Sequence, residues 1–559
     1  MREASEEDAV RFARNQPGEF ADYNAFTGDL ALTEAARFFG ADFAWPKLEA
    51  CGALIGSKRM QLLARAANRY PPELRTHDRF GNRIDWVEFH PAWHELMGLI
   101  FGSELHSMAW SDPRPGAHVA RAVISYLWNQ GENGVCCPAS MTFAAFAALR
   151  HAPDLLAYYR EKILATSYDP RPVPIGEKIS IIVGMAMTEK QGGSDLRQTE
   201  TEAKPESDKK GPGARYRLYG HKWFFSVPVC DLFLTLARTE KGVSCFLAEG
   251  WLADGSRNRL ALQRLKDKCG NRSNASAEVE YHGLHAVMIG EEGRGIATIL
   301  EMAHLTRLEC ALSSAGIVRQ AVAQALHHAA HRIAFQRKLI DQPLMRNVLV
   351  DLALESEALM WLGLRVAAAL DAGTRDRQAW LLSRIGVPVA KFWACKRAPA
   401  LVAEALECHG GNGFIEDHLL ARLYREAPLN GLWEGSGNVI CLDVMRALRR
   451  EPEAREAFLA EIETARGADR GFDSACEKLK ELLRQGEIPE YVARRLTEMM
   501  AQLLIAATLQ RAAPAAVFDA YCRTRLAGDY GQAFGTLPQG IDAEAILFRL
   551  ARLADSYTR

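Results

Sequence analysis

The sequence predicts a mainly α-helical protein with a β domain (barrel or sandwich) in its middle, then a helical bundle and an extra C-terminal helical domain. Two changes of hydrophobic period carry this prediction. Near residue 179 the three-to-four-residue spacing of amphipathic helices gives way to short β-rich runs, and near 291 the helical spacing returns. A chain of 559 residues also exceeds what one core serves, so several domains are expected.

Residues 1–178 read as an N-terminal domain of helices and loops. LALTEAARFFGADF, KRMQLLARAANRY and MTFAAFAALRHA have helical spacing, with turns at Pro71–Pro72, 112–116 and 169–174. Residues 179–290 carry the strands ISIIVGMAM, RYRLYG, KWFFSVPV, LFLTLAR, VSCFLAEG, NRLALQRL and AEVEYHG, as an antiparallel barrel or sandwich would. AKPESDKKGPGAR (203–215) reads as an exposed hairpin loop. Residues 291–444 read as a bundle of one very long helix, 297–335, and two more at 344–373 and 379–411. Residues 445–559 read as a further helical domain.

Lysine plus arginine, 68, balances aspartate plus glutamate, 69, so no global charge draws the chain to nucleic acid or to an anionic membrane. Twelve cysteines without a CxxC fit reduced thiols in a cytoplasmic protein. The start, MREASEEDAV, is too polar for a signal peptide, and no apolar run is long enough to predict a membrane span. His327 and His331 are spaced i, i+4 but lack an acidic HExxH partner, so no metal is expected. No GxSxG elbow is present.

Three motifs could carry chemistry. MTEKQGGSD (187–195) places hydroxyls at Thr188 and Ser194 around paired glycines after an apolar strand. It suits either a ligand lying against backbone or a tight hairpin. ECHGGNGFIEDHLLARLYRE (407–426) sets Gly410, Gly411 and Gly413 between helices. Those glycines suit phosphate approach by backbone N–H groups, or a helix C-cap and turn. In LNGLWEGSGNV (429–439), Glu434 follows Trp433. A carboxylate beside an indole and away from water would be a tuned general base; otherwise it is a surface glutamate at a helix start.

Taken together the motifs resemble the acyl-CoA dehydrogenase superfamily. Ala186–Asp195 fits its first signature, small-apolar-[ST]-E-x2-G-G-[ST]-D, and Glu407–Glu426 fits its second at every position. KCGNRSNAS (268–276) resembles its K-x-G-x-R-x-S segment, and RIAF (332–335) its R-x-x-F. PPEL, FHPAWH, GHKWFFSVP, QPLMR, LYREAP and WEGSGN are similar to the branch associated with the adaptive response to DNA alkylation, which carries an extra C-terminal domain.

The resemblance implies FAD as cofactor and an acyl-CoA as substrate. It implies Met185, Met187 and Thr188 along the flavin edge, with Gly193 and Ser194 beyond them. Phe224, Phe225 and Ser226 would take the other flank, and Gly410 and Gly411 the ADP phosphates, with Arg332 and Phe335 supplied by a neighbouring subunit of a homotetramer. Glu434 would be the catalytic base, with Trp433, Gly435, Ser436 and Asn438 around the cofactor. Relatives that place the base before a helix arginine would use position 306, but Thr306 precedes Arg307 here. The sequence departs from the family at Phe224, where tryptophan is usual (Trp223 stands one residue earlier), at Gln336 in place of a glycine, and at Gln198. The resemblance further implies double-stranded DNA as a partner of residues 445–559. That segment has 17 basic and 17 acidic residues, 15 of the bases being arginine, clustered at Arg446/Arg449/Arg450, Arg494/Arg495 and Arg523/Arg525.

Overall fold

The computed structural model describes residues 15–484 and 488–555; the start MREASEEDAV lies outside the described residues. The N-terminal domain is built from the helices Leu30–Phe38, Trp45–Gly56, Lys58–Arg69, Pro91–Gly102, Ala117–Gly131, Cys136–Leu149 and Pro153–Leu164. Asp29 caps the first, its carboxylate accepting from Leu32 N at 3.1 Å, and Ser57 caps the third through Met60 N at 3.2 Å. Every residue of Ala117–Gly131 is buried, so this helix is the axis of the domain. The reading of helices and loops misses one hairpin, β1 (Glu73–His77) against β2 (Arg83–Glu88). Asp78 builds its turn by accepting from Phe80 N and Asn82 N at 2.8 and 2.9 Å, with Gly81 at φ +83°.

The β domain comprises β3 (Val183–Ala186), β4 (Glu202–Pro205), β5 (Arg215–Ser226), β6 (Leu232–Thr239), β7 (Gly242–Glu249), β8 (Leu260–Leu265) and β9 (Ser276–Ile289). The pairings β3–β6, β6–β7, β7–β9, β9–β5 and β5–β3 close a ring, so it is a barrel. RYRLYG and KWFFS are one bulged strand, and β3 runs parallel, not antiparallel, to β6. β3 and β4 both lie against β5, at Phe225–Ser226 and at Tyr216–Tyr219 respectively. Residues 187–201 therefore leave the barrel wall and return to it further along.

The bundle consists of the helices Gly295–His331, Pro343–Ala372 and Arg377–Glu407. The first ends four residues before the expected Phe335. Asn15 stops it by exchanging two 2.8 Å hydrogen bonds with the Ile333 backbone. Ile333–Ala334 then pair with Arg337–Lys338 around a turn in which Phe335 and Gln336 both take positive φ. The helix Gly437–Arg450 runs through the expected boundary at 444/445, so bundle and C-terminal domain are continuous there. The latter continues through Pro452–Glu463, Arg470–Arg484, Ala493–Ala512, Ala515–Tyr521 and Ala543–Asp555.

Ion pairs tie this domain to the second bundle helix, where they are buried, and to the first N-terminal helix. Arg525 is held by Asp351 and by Glu355, the latter at 2.5 Å, and Arg549 by Glu357 at 2.8 Å and Glu34 at 2.6 Å. Arg525 is thus withdrawn from the surface arginine set proposed for DNA. Residues two apart on a helix point to opposite sides, so Arg523 faces solvent while Arg525 turns inward. Removing one partner strands buried carboxylates, so Arg525→Ala should cost about 3–5 kcal/mol in denaturant unfolding. A loss below about 1 kcal/mol would contradict this role for the pair.

Candidate active site

Three segments build the site from the barrel wall, the Glu434 loop and the start of helix Cys136–Leu149. The excursion 187–201 is anchored at its root by Glu189. Its buried carboxylate accepts from Lys222 Nζ at 2.6 Å, Thr201 Oγ1 at 2.6 Å, Glu200 N at 2.7 Å and Thr201 N at 3.2 Å. Burial alone would raise this carboxyl, but Lys222 and these donors hold it at about 2. Glu189 and Gly192 also bond each other across a two-residue turn. A tight hairpin is therefore present within the excursion. Thr188 O accepts from Trp223 N at 2.8 Å, and a Cβ on Gly193 would sit 2.5 Å from Thr188 Oγ1. Only glycine lets the returning backbone pass so close.

Thr188 is half-buried, and Ser194 and Phe224 are exposed, whereas Met185 is buried. Phe225 is 1% exposed and packs on Phe233 in the barrel core at 4.8 Å. Its side chain therefore flanks no ligand, a correction that follows from strand alternation. Ser226 pairs with Ser276, beside Lys268, whose Nζ donates to Asn274 O at 2.7 Å. Burial pushes the thiol of Cys137 up to about 12, with Lys268 offsetting part of the rise and Glu434 adding to it.

Glu434 adopts left-handed backbone at φ +58°, followed by Gly435 at φ +104°. For a residue with a Cβ this costs about 1–3 kcal/mol. Two cations hold the turn. Arg307 Nε donates to Glu434 O at 3.0 Å and is itself bound through Nη1 to Asp443 at 2.9 Å, while buried Lys391 donates to Gly435 O. Trp433 Nε1 donates to Asn430 Oδ1 at 3.0 Å, and Asn430 Nδ2 to Ser313 Oγ at 2.9 Å. Glu434 Oε2 is sealed from solvent and has no hydrogen-bond partner among the described residues. Burial pushes this carboxyl above the ordinary 4.5, with Thr306, Arg307 and Lys391 offsetting part of the rise. Thr306, at the alternative base position, thus meets Glu434 itself. Motif reading missed Lys391 and Arg307 as supports. A lone lysine within the apolar run GVPVAKFWAC was the available signal.

The remaining positions lie elsewhere. Arg332 is 25 residues beyond Arg307 along the chain, about 37 Å at 1.5 Å per helical residue. Its guanidinium donates to Asn15 O, and Phe335 is 91% exposed at the hairpin tip. His409 stacks near His328 at 4.6 Å, so Gly410 and Gly411 belong to this far end too. A Cβ on either glycine would meet nothing within 4 Å, so at Gly411 only open space adjoins the backbone. The structure therefore places Glu434 with Arg307 towards one end of the long bundle helix, and Gly410 and Arg332 at the other.

Residues 15–170 match the Adaptive response protein AidB N-terminal domain. Residues 184–284 match the acyl-CoA dehydrogenase middle domain, and 293–449 the acyl-CoA dehydrogenase C-terminal domain. The chain is 42% identical over 514 residues to the AidB protein of Escherichia coli K12, named there as an acyl-CoA dehydrogenase, covering 92% of this chain and 94% of that one. The chain belongs to the acyl-CoA dehydrogenase family.

Acyl-CoA dehydrogenase family member 11 of Caenorhabditis elegans is 30% identical over 82% of this chain and 76% of its own. A crystal structure of C. elegans ACDH-11 with C11-CoA superposes with a TM-score of 0.82 at 27% identity, over 91% and 93% of the two chains. Acyl-CoA dehydrogenases are FAD flavoproteins. Residues here fit that cofactor: partly open hydroxyls at Thr188 and Ser194, and unobstructed backbone at Gly410 and Gly411. Among the described residues no helix is long and apolar enough to cross a membrane, and no group of three or more His, Cys, Asp or Glu could hold a metal.

A carboxyl whose folded-state pKa is raised makes ionisation costly to the fold, so stability falls as pH rises above its unfolded value. Glu434→Gln should therefore raise the melting temperature at pH 7–8, with the gain fading as pH drops towards 4.5. A variant less stable than the parent at pH 8 would show the carboxylate to be stabilised instead.

Proposed function

We propose that this acyl-CoA dehydrogenase family member carries out α,β-dehydrogenation of a short or branched acyl-CoA, with Glu434 as the base. The observation that carries the reading is Glu434 Oε2, buried and unpartnered on a turn held by Arg307 and Lys391. A carboxylate kept out of water with a raised pKa takes a weakly acidic proton better than an ordinary one. Glu434 would take the α-proton, and FAD, when bound, would supply the acceptor for the β-hydride, leaving a 2-enoyl thioester. Arg307 and Lys391 hold the backbone turn that carries Glu434; Met187, Thr188, Phe224, Ser226, Gly435, Ser436 and Asn438 would border the cofactor. The C. elegans relative with C11-CoA supports an acyl thioester as substrate. Gly410, Gly411, Arg332 and Phe335 are too far from Glu434 to join it in one chain, which supports a homotetramer in which copies complete each other's sites. A cytoplasmic location fits the cysteine usage.

Adding a short branched acyl-CoA anaerobically to the FAD-loaded protein should bleach the flavin absorbance. Glu434→Gln should retain FAD but bleach at least 100-fold more slowly, as expected on losing a general base. Equal bleaching by the variant would remove Glu434 from that role.

A second reading is a flavoprotein that mainly binds double-stranded DNA, with a part in the response to DNA alkylation. Arg446, Arg449, Arg450, Arg494 and Arg495 are exposed on two helices that pack together, and Arg523 is exposed nearby in sequence. Arg450 and Arg495 have no ion-pair partner among the described residues. If arginines contact phosphates, DNA affinity should fall steeply between 50 and 200 mM salt, by orders of magnitude for six or more contacts. Failure to bind even at low salt would eliminate this reading.

A further inference from the structure

The C-terminal domain reaches the loop that carries Glu434. Arg494 stands in the first turn of helix Ala493–Ala512, and its Nε donates to Asn438 Oδ1 at 2.8 Å. Its Nη2 lies 3.4 Å from where a Cβ on Gly437 would sit, and Lys396 Nζ lies 3.3 Å from the same point. Gly437 and Asn438 open the helix Gly437–Arg450, four residues after Trp433 in the chain, and no side chain caps that helix. Arg494 lies beyond residue 449, where the family match to the acyl-CoA dehydrogenase C-terminal domain ends.

Helix stability does not explain this placement. The N-terminal end of a helix dipole is positive, and a cation there is disfavoured by a few tenths of a kcal/mol to about 1 kcal/mol. Arg494 and Lys396 both stand at that end. What the contact achieves is geometric: a planar guanidinium from a neighbouring domain holds the carboxamide of Asn438 in one orientation, four residues after Glu434.

We propose that Arg494 is a positioning residue through which the C-terminal domain sets the affinity of the site for FAD, acting on Asn438. This rests on the FAD-dependent reading of the Glu434 site. Removal of the domain's grip would loosen the Gly435–Asn438 segment without unfolding the bundle, because Arg307 and Lys391 still hold Glu434 and Gly435.

The test is a titration of the full-length apoprotein with FAD, followed by quenching of flavin fluorescence, for the parent, R494A, R494K, N438A and the R494A/N438A double variant. R494A is expected to weaken FAD about three- to tenfold, as the loss of one charge-assisted hydrogen bond at a partly exposed position would. R494K, which keeps the charge but not the planar Nε donor, should fall on the R494A side. The double variant should bind no more weakly than the weaker single, since the two residues act through one contact. Parent-like affinity in R494A, full rescue by lysine, or multiplying effects in the double variant would each overturn the proposal. A parent protein that takes up no FAD would instead overturn the cofactor reading beneath it.

Discussion

Two cations that hold the carbonyls of Glu434 and Gly435 fix the backbone of the turn on which the candidate base stands. A left-handed glutamate is a costly conformation, and it survives only where the surroundings over-determine it. Arg307 comes from the first bundle helix and Lys391 from the third, so the turn is set by how these helices pack. Arg307 is itself oriented by Asp443, which also takes Arg384 at 3.2 Å. Because both cations donate to backbone carbonyls, neither pairs with the carboxylate through a hydrogen bond, and Oε2 remains buried and unpaired. Had either cation paired with the carboxylate directly, its pKa would fall and its value as a base with it.

The barrel solves a different problem, that of putting a long polar excursion on a closed wall. β3 and β4 follow the same line, and residues 187–201 bulge from it. Glu189 at the root satisfies five donors, so the loop is closed by a buried polar cluster and its exterior is left for Thr188 and Ser194. The acid inside the signature thus has a scaffolding task, while Thr188 and Ser194 beside it keep part of their surface open.

Much of this was legible in the residues. The change of period at 179 and its reversal near 291 locate the barrel, which runs from Val183 to Ile289, and the three long bundle helices. The hairpin at Glu73–Glu88 was missed because its alternation is short and its faces mostly exposed, leaving little apolar signal. The end of the long helix at His331 was missed because a side chain 316 residues earlier, Asn15, replaces the helical hydrogen bonds; no local propensity reports that. Phe225, placed at the flavin by the family resemblance, and Arg525, placed on the surface by its cluster, both turn inward. Neighbours on a strand, or residues two apart on a helix, point to opposite sides, and burial takes one of each pair. Glu434 stands out through its indole and glycines, but its supports Arg307 and Lys391 arrive from distant segments.

The helix Gly295–His331 also acts as a fixed ruler. Its straight run separates the Arg307 end from the Arg332 end by more than a small ligand spans, and hydrogen bonding every turn makes it stiff. A ligand held at the Glu434 end therefore does not reach the far group of Gly410, Arg332 and Phe335 in the same chain, which leaves that group open to another molecule. If that molecule is a second copy, mass action couples two equilibria: each bound cofactor favours assembly, and each assembly favours bound cofactor. Occupancy would then depend on the protein's own concentration, and a dilute chain would release its ligand with no change in any residue that touches it.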